Sequence, residues 1–258
     1  MAEAAAGRLD TPELKLTRPL LELQARWSAL PGRDCLLVDS LRHRDGHSLF
    51  VYPFAGRHAN LGLASLVAWR VGGRQPATFS IAVNDYGFEL LAAQAIDWRT
   101  LGAQAADADH GLLREAGLLD DVLASLNAGE LAQRRFREIA RVAGLVFQGY
   151  PGQGQSARQL QASSGLLYDV FVDYDPENEL LAQSQREVLD RQLEAPRLAA
   201  ALDRMRRDRV VVTTPARPTP FAFPLMVEMF REKVSTEALE PRVARMVADL
   251  ERAAGVTQ

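Results

Sequence analysis

Residues 35–91, CLLVDSLRHRDGHSLFVYPFAGRHANLGLASLVAWRVGGRQPATFSIAVNDYGFELL, carry the pattern on which the fold class turns. Cys35 to Leu41 and Ser48 to Phe54 are β-rich runs on either side of HRDGH, in which Asp45-Gly46 is a hairpin signal. From Arg57 to Val71, the residues Leu61, Leu63, Leu66, Val67 and Trp69 take up helical spacing that Gly72-Gly73 stops. On that spacing Trp69 falls on the apolar side and is expected in the core. Thr78 to Val83 and Phe88 to Leu91 form a second strand pair around Asn84-Asp85-Tyr86-Gly87. Strand, strand, helix, strand, strand predicts a mainly antiparallel sheet with a packed helix on one face.

Outward from this block, residues 1–18 read as a flexible tail. Leu16, Leu20, Leu21, Leu23 and Trp27 then suggest a short amphipathic helix after Pro19, with Pro31-Gly32 at its end. Beyond Asp97 the chain turns helical, with helices expected over about 109–126, 129–146, 156–172, 177–193 and 195–207. Arg209 to Thr214 reads as a lone strand. Pro215, Pro218, Pro220 and Pro224 then make an extended strap, before helices over about 225–233 and 235–253. The pattern has no internal repeat. Residues 19–258 therefore read as a single α+β domain, sheet-rich over 35–95 and helical over 97–258.

At 258 residues, 47% hydrophobic and 24% charged, the chain has the composition of a globular protein able to bury a sizeable core. Its one cysteine, Cys35, allows no internal disulfide and no cysteine metal cluster, which fits a reducing cytoplasm. No run of about 18 apolar residues points to a membrane, and MAEAAAGR lacks the zones of a secretion signal. The net charge of −3 excludes a uniformly basic surface but not a local cationic groove. Lysine occurs only at Lys15 and Lys233, so nearly all cationic charge is arginine, which suits bidentate phosphate contacts. A GC-rich coding sequence has the same result.

Phe147 to Tyr168, FQGYPGQGQSARQLQASSGLLY, runs a glycine-rich loop into an amphipathic helix. Gly149, Gly154 and Ser156 have the spacing of G-x-x-x-x-G-K-[ST], but Gln155 replaces the lysine and Pro151 removes a backbone donor. The nucleophile elbow G-x-S-x-G fails at Arg158. His43 and His47 flank a turn, with no third metal ligand nearby. Arg57 and His58 open a helix after Gly56, where cationic side chains and backbone N–H groups converge on a phosphate or simply start the helix. Arg134, Arg135, Arg137 and Arg141 crowd the helix before the glycine loop, and Arg158 and Gln159 begin the helix after it. Such a run is a solvated face or, beside Gln148, Tyr150 and Gln153, a single-strand binding surface. Trp27, near a helix end beside Arg26 and Ser28, is the tryptophan best placed for base contact. No carboxylate pair, Ser-His-Asp series or metal cluster has convincing spacing, so no catalytic residue and no metal ligand is assigned.

Three ordered blocks, VYPFAGRHANLGLASLVAWR at 51–70, FSIAVNDYGFELL at 79–91 and GYPGQGQSARQLQASSGLLYDVF at 149–171, resemble the region C-terminal to the motor in ligase-associated, Lhr-type superfamily 2 DNA helicases. The resemblance runs from about Leu20 to Met246. It implies the DEAD/H-associated domain that completes the channel for the tracking strand after two RecA-like domains and a winged helix. It implies a part in 3′-to-5′ helicase action during DNA repair, on single-stranded DNA or a DNA–RNA hybrid, alongside DNA ligase-associated repair proteins. ATP and Mg belong to the absent motor domains; the chain itself carries no motor motif and needs no cofactor of its own. By resemblance it is an excised piece or a separate polypeptide. The family reading puts Pro53 to His58 near nucleic acid, while Asn60, Leu61 and Gly62 stand where the longer Lhr branch has a stacking tryptophan. The expected contact set is Trp27, Arg57, His58, Asn60, Gln148, Tyr150, Arg158 and Gln159. The competing function is a docking domain that packs on the motor or a repair partner and touches DNA little.

Overall fold

The structure, a computed structural model, describes residues 12–96, 111–146, 149–150, 153–154, 156–232 and 239–255. Strands Cys35–His43 (β1), Gly46–Val51 (β2), Phe79–Val83 (β3) and Phe88–Ala92 (β4) fall where the hairpin signals place them. Two short strands, Gly149–Tyr150 (β5) and Gln153–Gly154 (β6), pair with each other, and Arg209–Thr213 (β7) completes the set. The main sheet has the order β3-β4-β2-β1-β7. Its β1–β2, β2–β4 and β3–β4 pairs are antiparallel, with Asp39 opposite Phe50, Leu49 opposite Leu90 and Ile81 opposite Leu90. The α+β class follows as expected.

Arg209–Thr213 is not a lone strand: it pairs in parallel with β1, Leu37 opposite Val211. A parallel neighbour needs a long crossover, and here that crossover holds nearly the whole helical part of the chain. Helix Pro12–Trp27 (α1) starts ahead of Pro19 and runs through it. Its second half is pinned by buried Leu21 and by Gln24, whose side chain donates to the Ala29 carbonyl at 3.2 Å and accepts from the Phe221 amide at 3.0 Å.

Because side chains alternate along a strand, the sheet has two apolar faces. Leu36, Val38, Leu49, Val51, Phe88 and Leu90 pack on helix Arg57–Gly72 (α2), with Leu198, Leu202 and Met205 contributed by a later helix. Leu37, Leu41, Phe50 and Tyr52 face the other way, against Leu21 of α1 and against Leu225, Met226 and Phe230. Helices thus cover both faces, where the sequence pattern assigned one. Each fully buried Leu or Phe contributes roughly 1.5–3 kcal/mol of transfer free energy.

The helical part comprises Leu118–Ala124 (α3), Leu126–Val142 (α4), Ala157–Tyr174 (α5), Glu179–Glu187 (α6), a π-helical turn Val188–Gln192 and Ala195–Arg207 (α7). Phe136, Ala140, Val146 and Leu181 form its own small core, and the Phe136 ring meets Tyr168 and Phe171 edge-on at 5.3 and 5.8 Å. The helix expected over 109–126 starts only at Leu118, after Gly117 takes a left-handed φ of 69°. Ala222–Glu232 (α8) begins earlier than the pattern suggests, because the Thr219 hydroxyl accepts from the Ala222 amide at 3.2 Å and caps it. Leu239–Ala254 (α9) closes the chain.

Trp69 is not in the core; it is 43% exposed. Helix α2 is buried on most sides, including Leu63, Leu66, Val67 and Arg70, so position 69 takes the side left open. At the β3–β4 hairpin, a Cβ on Gly87 would stand 2.5 Å from the Val51 carbonyl oxygen and 3.0 Å from the Tyr52 ring. Gly87→Ala is therefore expected to destabilise the protein by about 2 kcal/mol, read as a lowered urea midpoint with unchanged m.

Candidate nucleic-acid interface

The connection from β2 to α2 is built by an unusual backbone. Phe54 has φ 52°, a strained value for a residue with a side chain, and Gly56, the N-cap of α2, has φ 87°. The neighbouring hairpin holds this path: the amides of Phe54 and Gly56 donate to the carbonyls of Tyr86 and Asp85, each at 3.0 Å. The Arg57 amide donates to the Asp85 carboxylate at 3.3 Å, so that side chain faces the helix N-terminus. The Asn60 amide group reaches the Asn84 carbonyl at 2.8 Å, and the Asn84 side chain accepts from the amides of Tyr86 and Gly87.

The strained loop leaves the Phe54 ring 40% exposed, resting on Tyr86 and Phe221 with centroids 6.2 and 6.5 Å away. Burial pushes the Tyr86 phenol up to about 12, and its hydroxyl donates to the Phe221 carbonyl at 3.2 Å. Helix α7 brings two arginines to the same loop. The Arg204 guanidinium donates to the Pro53 carbonyl, and that of Arg197 lies over Gly56, 3.2 Å from where a Cβ would sit. Arg57 pairs with Glu228 of α8 at 3.3 Å, His58 stands 3.5 Å from Glu194, and Arg197 pairs with the same Glu194 at 3.2 Å. These pairs sit at the surface, where an ion pair contributes about 0–1 kcal/mol. Pairs this weak let the guanidinium groups of Arg57 and Arg197 turn toward a phosphate at little cost.

Of the residues expected to touch a strand, Arg57, His58 and Asn60 share the first turn of α2. The first two side chains are exposed and Asn60 is fully buried, tying helix to hairpin. Trp27 ends α1, on the opposite face of the sheet from α2, with the Arg217 guanidinium 5.3 Å from its ring centroid. Tyr150 lies in β5, and Arg158 and Gln159 lie in the first turn of α5. Gln148 is outside the described residues, as is Gln155. The β5–β6 pairing, Gly149 opposite Gly154, commits the backbone there to a hairpin rather than to a phosphate nest. In α4, Arg134 pairs with Glu130 at 3.6 Å and Arg135 with Glu138 and Glu187. His43 bonds Ser48 at 2.8 Å, and among the described residues no group of three metal-ligating side chains forms. Sequence reasoning missed Arg197 and Arg204, and held Phe54 only as part of the block Pro53 to His58, outside the expected contact set. Only Phe54 carried a local signal, as an aromatic directly before Ala55-Gly56-Arg57.

Known proteins resemble this chain. The chain is 23% identical over 95% of its length to the ATP-dependent helicase Lhr-Core protein 2 of Thermococcus barophilus. It is 21% identical over 92% of its length to the ATP-dependent helicase Lhr-Core of Methanocaldococcus jannaschii. The chain spans 29% and 27% of those two proteins. The solved structure of the Mycobacterium smegmatis helicase Lhr bound to ssDNA and AMP-PNP superposes with a TM-score of 0.63 at 23% identity, covering 82% of this chain and 27% of that one. Residues 30–222 match the family described as DEAD/H associated, and the chain belongs to that family.

Proposed function

We propose that this chain is the accessory nucleic-acid-binding domain of an ATP-dependent 3′-to-5′ Lhr-type DNA helicase serving DNA repair, and that it lines the path of the single strand. The observation that carries the reading is that Arg57, His58 and Arg197 gather at the strained loop that also exposes Phe54. Cations hold phosphates, and the ring offers a base a stacking face. RecA-like and winged-helix domains supply the motor, with ATP and Mg bound there, and this domain does no bond chemistry. Single-stranded DNA or a DNA–RNA hybrid is the strand, and DNA ligase-associated repair proteins are the wider partners. Family membership and the names of the relatives support the reading.

The docking alternative also has an observation in its favour. Leu166, Val170 and Tyr174 follow one another at helical spacing on α5 and are 68, 41 and 83% exposed, with Asp169 and Asp173 beside them. An acidic, apolar stripe repels a phosphate backbone and suits a protein surface. Both surfaces can serve one domain. Anisotropy with labelled single-stranded DNA separates them: Arg57→Ala and Arg197→Ala are each expected to weaken binding about three- to tenfold. Unchanged affinity in both would refute the Phe54 site.

A further inference from the structure

Beside the Phe54 loop, a half-open groove of about 1100 Å³ runs between α2 and the edge strand β3, with Arg57 in its wall. Its floor is apolar, with Leu61 of α2 and Ile81 of β3, and Trp69 lies within it, 43% exposed. Arg74 and Arg114 also line it. The carboxylates there are neutralised: Asp121 by Arg70 and Arg114 at 2.8 and 3.0 Å, and Glu130 by Arg134 at 3.6 Å. From Arg57 to Trp69, α2 rises about 18 Å, the length of about five stacked nucleotides.

We infer that this groove is a second contact for the single strand, with Trp69 stacking on an unpaired base and Arg57 shared with the Phe54 site. The inference rests on the strand-binding reading and extends it along α2 to Trp69, which is outside the expected contact set. Three observations favour nucleic acid over a peptide added to the β3 edge. Four arginines line the groove against two carboxylates, the indole is left open beyond the buried middle turns of α2, and the groove is continuous with Arg57. A stacked base converts exposed apolar ring area into contact, which is the main source of sequence-tolerant affinity for single strands.

Trp27→Phe with Trp98→Phe leaves Trp69 as the only indole among the three tryptophans. In that background, titration with oligothymidylate should quench Trp69 emission over the concentration range in which labelled-oligomer anisotropy rises. Trp69→Ala should weaken binding about tenfold and Trp69→Phe recover most of it, with thermal melts of the variants matching the parent. Oligomer binding with unchanged emission, and Trp69→Ala within about twofold of the parent, overturns the inference and leaves the Phe54 site standing. Absence of oligomer binding overturns both. Quenching by an extended peptide but not by the oligomer assigns the groove to a protein partner and overturns the inference as well.

Discussion

Asp39→Ala is expected to cost about 4 kcal/mol of stability, the sum of four hydroxyls, two buried and two half-buried, each losing an acceptor. The Asp39 carboxyl group is fully buried in the middle of β1 and is held by four hydroxyls from four other parts of the chain. Ser28 after α1 and Thr213 of β7 donate to Oδ1 at 2.5 and 2.6 Å; Tyr52 and Thr219 donate to Oδ2 at 3.3 and 3.1 Å. Thr219 also caps α8, so one acceptor joins α1, the sheet, the crossover strand and the strap. Burial, and then the Asp39 charge, push the Tyr52 phenol well above its ordinary value, keeping it a donor. For a chain of this size the loss lowers Tm by roughly 8–16 °C. Asp39→Asn keeps one acceptor oxygen and places a donor against the remaining hydroxyls, so it should fall between the parent and Asp39→Ala. A loss below about 1 kcal/mol in Asp39→Ala would contradict the network's role.

Arg70→Met is expected to remove about 3 kcal/mol, the lower end for breaking a buried pair, because Arg114 remains beside the widowed carboxylate. The Arg70 side chain is 2% exposed and reaches Asp121 at 2.8 Å, together with the carbonyls of Leu112, Arg114 and Ala116 at 2.8, 2.7 and 3.3 Å. Burial lowers its pKa, and the hydrogen bond to Asp121 and the charge of that carboxylate act the other way. This one side chain clamps residues 112–121 onto α2. Hydrogen exchange should therefore speed up in α3 more than in the central strands. Arg70→Lys should rescue little, since an ammonium cannot span four acceptors fixed in a plane. Uniform exchange across the chain in Arg70→Met would contradict a local clamp.

These two networks mark the boundary of what the sequence discloses. The block from Cys35 to Leu91 was legible because Asp45-Gly46, Gly72-Gly73 and Asn84 to Gly87 punctuate it locally and its apolar periods are short-range. The place of β7 was not legible, because its parallel partner β1 lies across the whole helical part. The role of Asp39 was not legible: it is a charge inside the run Leu36 to Leu41, and its four donors are scattered from Ser28 to Thr219. Trp69 was misread because helical spacing names an apolar side, whereas α2 is covered on most sides and exposes what remains. In the candidate site, the placing of Arg57 and His58 at a helix start was legible from Gly56. Arg197 and Arg204 were not, since their helix reads as an ordinary arginine-bearing amphipathic segment and only the fold carries it to Pro53 and Gly56.

The proposed strand-binding role places the phosphates of the strand on Arg57, His58 and Arg197. Its most direct measurement is the affinity of the whole chain for single-stranded DNA as salt rises from about 50 to 200 mM. Three released counterions predict a loss of about tenfold or more. An affinity that does not change across that range would contradict it.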